Sequence, residues 1–302
     1  MPVNALVRLA SILSIFILVQ NTSESACSSI FFSCALAHYF IGFVYSKNRT
    51  LEIIKQPKSY LPSLFIVAAG ALAIFYRFPL WVYFGTHHVL SEFYRINNPK
   101  FISENRSLVF SISCFMLNSF GYLFIIRNQQ SISWLPAKYV LSAFLVSSVV
   151  FFCSLYQNRT AFPKNLLFDR GLFEGINILL VFGSLFFTVN YRQVILYHAV
   201  SWAVFSGFRV KEKGQLPLIR YLILTFVING VLLFLSPSAR MPFQISFPTL
   251  SNQVDLWGYI HITASFALSS SNPKWITKWF SNRDTSGLQA KQGTLLQGTL
   301  IN

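Results

Sequence analysis

The sequence predicts an all-α, polytopic integral membrane bundle of about ten transmembrane helices with both termini on the cytoplasmic side. Three observations carry this expectation. The 302-residue chain is 54% hydrophobic and only 11% charged, where a soluble domain carries about 25% charged residues. It contains several uninterrupted apolar runs of the roughly 20 residues that cross the hydrocarbon core as a helix. It lacks the short alternating segments of a closed barrel, the other architecture that satisfies its backbone in lipid.

The spans are taken in chain order. The first, 4–20, resembles a signal-peptide core in length, but the following Asn21-Thr22-Ser23-Glu24-Ser25 is a poor small-residue cleavage site, so the run reads as a span. The second, 27–46, ends at the basic cluster Lys47 and Arg49. The stretch from Leu61 to Tyr94 is too long for one helix and is interrupted at Arg77-Phe78-Pro79. Proline cannot continue the hydrogen bonding of the turn before it, so two spans are expected, 60–77 and 79–95, with Pro79 opening the second. Further spans fall at 107–126, 135–156, 171–189, 191–208, 217–236 and 254–271. The transmembrane region is thus 1–272. Residues 273–302 form an interfacial segment, with Trp275 and Trp279 among lysines, followed by a polar tail expected to be disordered from Ser281. No fixed-period repeat and no glycine-rich phosphate loop is present.

Charge distribution sets the orientation. The formal net charge is +15, from 24 Lys and Arg against 9 Asp and Glu. The basic residues are scattered over short loops rather than gathered in one patch, which argues against nucleic acid and for cytoplasmic loops facing anionic lipid. With ten spans and the N-terminus inside, 19 of the 24, from Arg8 to Lys291, fall on the cytoplasmic side. Merging the third and fourth spans would scatter the later basic loops outward. The lipid bilayer is therefore the first partner expected, in a plasma or inner membrane. Cys27, Cys34, Cys114 and Cys153 form no CxxC pair, and neither a disulfide framework nor a structural zinc site is predicted.

All five histidines, His38, His87, His88, His198 and His261, lie inside predicted spans. Ionisable groups at membrane depth are costly and mark function. In the ten-span topology the second, fourth, eighth and tenth spans all run from outside to inside, and these four hold the histidines. At about 1.5 Å per residue the imidazoles share one layer, roughly 10–17 Å from the outer edge. Neutral imidazole is the commonest side-chain metal ligand, so His38, His88, His198 and His261 are expected to hold one metal ion. Glu92 follows His88 by four and shares its helix face, which favours His88 over its neighbour and marks Glu92 as a ligand or acid–base group. His87 points about 100° away and is expected to be an alternate ligand or to support the others. Single histidines also serve as hydrogen-bonding glue between helices. Glu174 and Asn177 lie one turn apart, nearer the cytoplasmic edge, where Glu174 caps a helix start in the simplest reading. Trp81, Tyr83, Phe84, Tyr197, Trp202, Trp257 and Tyr259 flank the histidines and suit either an apolar pocket or the interface belts.

Imidazole with carboxylate suits non-haem iron that activates oxygen. The expected activity is oxidation of a lipid-soluble small molecule, a lipid or a polyene, entering sideways from the bilayer. In this picture of intramembrane histidines in an all-helical bundle the chain is similar to bacterial membrane carotenoid-cleaving dioxygenases; the similarity is architectural and carries no residue across. A haem-binding cytochrome with axial histidine pairs is the alternative, although four histidines at one depth exceed the need of one haem. A transporter with a His/Glu relay is the next, although Pro79 has no matching helix break in a second half. The sequence contains neither a G-x-S-x-G elbow nor an H-E-x-x-H motif.

Overall fold

A computed structural model describes residues 3–55, 60–76, 78–96, 104–127, 134–160, 164–187, 189, 191–236 and 254–268. Among these residues every regular element is a helix. There are ten: α1 Val3–Asn21, α2 Glu24–Lys55, α3 Tyr60–Phe75, α4 Leu80–Ile96, α5 Glu104–Arg127, α6 Ala137–Gln157, α7 Lys164–Gly183, α8 Tyr191–Lys211, α9 Gln215–Phe234 and α10 Val254–Leu268. The expected tail from residue 273 lies outside the described residues.

Prolines and one glycine set several boundaries. Between Leu61 and Tyr94 the chain forms two helices: α3 ends at Phe75, and the Pro79 carbonyl accepts the first hydrogen bonds of α4, from Val82 at 3.0 Å and Tyr83 at 3.3 Å. Pro136 plays the same part before α6, with extended backbone and its carbonyl accepting from Tyr139 at 3.1 Å. Pro217 sits in the first turn of α9, where a missing N–H costs nothing. Between α8 and α9, Gly214 adopts φ +118°, a conformation only glycine takes without strain. The largest boundary differences are at α2, which continues to Lys55 rather than ending at 46, and at α7, which runs 164–183 rather than 171–189. Helix α7 begins upstream because Leu167, Asp169 and Arg170 turn inward and extend its buried face.

Five helices, α1, the first part of α2, most of α5, α6 and α9, are long and apolar enough to cross a membrane. Their outer surfaces are hydrocarbon: Phe226 on α9 is 75% exposed, and Val146 and Val149 on α6 are exposed as well. A water-soluble monomer rarely leaves apolar patches this large uncovered. The interior, by contrast, buries Arg8, Glu92, Asp169, Arg170, Glu174 and all five histidines. Apolar outside and polar inside is the arrangement of a protein in lipid.

Packing brings the histidine helices together. Helix α2 packs on α8, α9 and α10; α4 packs on α5 and α10; α1 packs on α7 and α8. The Tyr259 hydroxyl of α10 donates to the Phe78 carbonyl in the α3–α4 turn, and Tyr83 of α4 hydrogen-bonds Thr263 of α10 at 2.7 Å. On the other side of α4, the Tyr122 hydroxyl of α5 donates to the Trp81 carbonyl at 2.7 Å. These bonds fix α4 between α5 and α10, so that consecutive His87 and His88 look into different neighbourhoods.

Candidate metal centre

All five histidines are buried, His198 to 1% exposure. They come from the four helices α2, α4, α8 and α10, and their rings touch in a continuous cluster. The His38 ring centroid lies 4.5 Å from His261 and 5.1 Å from His198. His87 lies 4.8 Å from His198 and 5.4 Å from His261. Aromatic side chains close the cluster: Trp202 meets His38 edge-on at 4.4 Å, Tyr39 stacks on His261 at 4.6 Å, and Phe84 stacks on His88 at 5.8 Å. Gly42 leaves room for the His261 ring, since a Cβ there would lie 3.2 Å from its Cε1.

Within the cluster, His38, His87 and His198 each present a ring nitrogen, all three within 4.8 Å of one another. The tightest pair is His87 Nε2 and His198 Nε2 at 3.1 Å. A metal–nitrogen bond of about 2.0–2.1 Å puts neighbouring ligand nitrogens about 2.8–3.4 Å apart, so this pair already has the spacing. The His261 ring packs on those of His38 and His87 but lies outside this three-nitrogen set, and its buried Nε2 has no hydrogen-bond partner among the described residues.

The structure places His88 on the far side of His198, with the two Nδ1 atoms 3.4 Å apart. His198 thus faces His87 through Nε2 and His88 through Nδ1. If Nε2 ligates a metal, Nδ1 carries the proton and donates it to His88, the arrangement that usually fixes the orientation of a ligating histidine. The compact set contains His87, while His88 meets it through His198, the reverse of the order suggested by the Glu92 spacing.

Glu92 belongs to a second buried polar group. It accepts the Tyr197 hydroxyl at 3.0 Å and faces the Arg8 guanidinium at 3.5 Å. Arg8 also approaches Glu174 at 3.8 Å, donates to the Phe173 carbonyl at 2.9 Å and lies over the Phe173 ring at 4.0 Å. Glu174 accepts from Asn118 at 2.8 Å and from Asn177 at 3.3 Å, and the Cys114 thiol stands 3.6 Å away. With α7 beginning at Lys164, Glu174 is a mid-helix residue and does not cap the helix start. The cap in this region is Asp169, whose carboxylate accepts from the Asn4 and Ala5 backbone N–H groups at 3.3 and 2.9 Å and from the Asn4 side chain at 2.6 Å. A carboxylate from α7 thereby satisfies the free donors at the start of α1.

Arg8, Asn118 and Tyr197 were not apparent from sequence as partners of the acids. Arg8 and Arg170 entered the charge count as cytoplasmic, but both are interior, at 3% and 2% exposure. The signal available was Arg8 itself, a lone charge inside an apolar run that has to find a counter-charge. Asp255 is exposed in the first turn of α10, apart from the buried cluster. All four cysteines are free. No protein-family profile, curated protein or solved structure matches the chain.

Proposed function

We propose that the chain crosses the membrane ten times with both ends in the cytoplasm, and that it is a non-haem metal-dependent oxidoreductase acting on a lipid-soluble substrate. The observation that carries this reading is the buried set His38, His87 and His198, whose ring nitrogens lie within 4.8 Å of one another. His261 completes the set as a fourth imidazole, and His88 orients His198.

Iron is the metal that imidazole ligation and oxidative chemistry on a hydrocarbon favour, because a ferrous site with open positions binds dioxygen. The chain's own residues supply the rest. Trp202, Tyr39 and Phe84 wall the histidines and exclude water, so a reactive centre meets only what arrives through lipid. Glu92, a carboxylate held by the Tyr197 hydroxyl and Arg8, is the acid–base group of this reading. The ten-span topology is supported by the side-by-side packing of the four helices that the charge pattern orients alike.

The non-haem reading is preferred because one haem needs two histidines, fewer than the cluster offers.

The test is metal analysis by mass spectrometry, with a visible spectrum, on protein purified in mild detergent. Stoichiometric iron without a Soret band is expected. A Soret band would make the protein a cytochrome. A folded sample with neither metal nor haem would end the metal reading and leave the His/Glu relay of a transporter.

A further inference from the structure

Beyond the histidine cluster, we propose that a cavity beside Arg8 binds the neutral, hydrogen-bond-accepting head of a lipid-soluble molecule, a carbonyl compound with an apolar tail. The cavity measures about 60 Å³ and lies among α1, α4, α5, α7 and α8. Arg8, Asn118, Asn177, His88, Gln193 and Tyr197 are among its polar lining, and Ile12, Ile15 and Leu180 belong to its apolar lining.

Two observations define the ligand. The first is an unspent donor. Arg8 is 3% exposed, and its Nε–H has no acceptor among the described residues, although the neighbouring Nη1 donates to the Phe173 carbonyl. Buried N–H groups are almost always paired, so an acceptor atom brought into this cavity gains a bond that the protein alone does not make. The second is charge. One guanidinium already faces two carboxyl groups, Glu92 at 3.5 Å and Glu174 at 3.8 Å. A carboxylate or phosphate head would bring another negative charge, and the cavity lining holds no further Arg or Lys to meet it. A neutral carbonyl oxygen satisfies Nε without that repulsion.

Size and lining set the remainder. The cavity holds a head of a few heavy atoms, or a small water cluster, but no whole lipid. Its aliphatic walls suit the first carbons of a hydrocarbon tail whose remainder lies in the bilayer. The head chemistry is shared by quinones and by ketone- or aldehyde-bearing acyl lipids. The site stands apart from the metal reading, since none of its arguments uses the ligand nitrogens of His38, His87 or His198.

The experiment uses the full-length protein in phosphatidylcholine nanodiscs, dialysed separately against decylubiquinone, 2-dodecanone, dodecanoate and dodecane. Retention above empty nanodiscs is read by mass spectrometry. We expect decylubiquinone or 2-dodecanone to be retained at least about tenfold more tightly than dodecanoate and dodecane. Whichever of the two is retained identifies the source as quinone or acyl carbonyl. Ile12→Trp, or Leu180→Trp should the first fail to fold, fills the cavity and is expected to weaken retention at least about tenfold with helicity unchanged. Dodecanoate held as well as the ketone, no retention of either carbonyl compound, or full retention by a folded cavity-filling variant would each overturn the proposal. Metal content of the same samples reads the histidine cluster separately, so a metal-free protein that still retains the ketone sinks only the metal reading.

Discussion

Replacing Arg8 by methionine keeps the apolar stem of the side chain and removes its charge from between Glu92 and Glu174. The two contacts, at 3.5 and 3.8 Å, involve side chains no more than 4% exposed. At an effective dielectric of about 20 each is worth about 4–5 kcal/mol of gross attraction, before the cost of taking the charges out of water. Most of that gross figure is offset by desolvation. What the variant exposes is a pair of buried carboxyl groups without their counter-charge, and removing one partner of a buried pair costs about 3–5 kcal/mol. The hydrogen bond to the Phe173 carbonyl is lost as well. We expect Arg8→Met to lower unfolding stability by about 3–5 kcal/mol. The triple variant Arg8→Met, Glu92→Gln, Glu174→Gln removes the stranded charges and should recover most of the loss, since neutral packing can replace a buried ion pair. Reversible unfolding in mixed detergent micelles, followed by circular dichroism, measures both. A single variant within about 1 kcal/mol of the natural protein, or a triple variant no better than the single, would refute the account of Arg8 as the counter-charge of both acids.

Two further outcomes follow from the same geometry. Chelator competition should rank the histidines. His198→Ala is expected to lose the metal, whereas His88→Ala should lower affinity by about 10–100-fold, as loss of a group that orients a ligating histidine does; equal losses would place His88 among the ligands. Asp169→Ala removes the acceptor of two backbone N–H groups at the start of α1, and the same unfolding measurement should find about 1–2 kcal/mol lost, with Asp169→Asn recovering part of it; an unchanged midpoint for the alanine variant would show that α1 is held without this cap.

Much of the fold could be read from the sequence because lipid imposes simple rules. Pro79 divides 60–95 into two helices, as the proline rule requires, and the apolar lengths place most helix ends within a few residues. The share of the site that was legible follows from depth. Histidines expected at similar depth on four spans do meet in the fold, and a helical rise suffices to anticipate it. What the sequence withheld were rotations and partners. His87 and His88 are adjacent, and which of them meets His198 through Nε2 depends on how α5 and α10 grip α4 through Tyr122 and Tyr83. The Glu92 spacing pointed to His88, yet Glu92 takes the Tyr197 hydroxyl, 105 positions away in sequence, and the Arg8 guanidinium. No local pattern reveals such partners. Helix α7 misled for a related reason. Asp169 and Arg170 look like loop residues until the start of α1 and the Phe110 ring, 5.3 Å from the Arg170 guanidinium, are there to receive them.

The division of labour among the helices follows from the same physics. Three of the four histidine-bearing helices, α4, α8 and α10, are absent from the five long enough and apolar enough to cross a membrane on their own. For α8, at 21 residues, the cause is its polar side chains, whereas α4 at 17 residues and α10 at 15 described residues are also short. A helix that brings His, Glu and Tyr side chains to one depth gives up the lipophilicity that would hold it alone in lipid. It needs neighbours that shield it and bond to it. Helix α9, packed on α2 and α8, supplies such a shield, with Phe226 and Val227 on its outer face. Hydrogen bonds such as Tyr83 to Thr263, Tyr122 to the Trp81 carbonyl and Tyr197 to Glu92 supply the attachment. The histidine cluster is therefore placed by packing between helices rather than by any one span. A substitution on α4 that spares every histidine but loosens its contact with α5 or α10 should disperse the cluster as effectively as removal of a ligand.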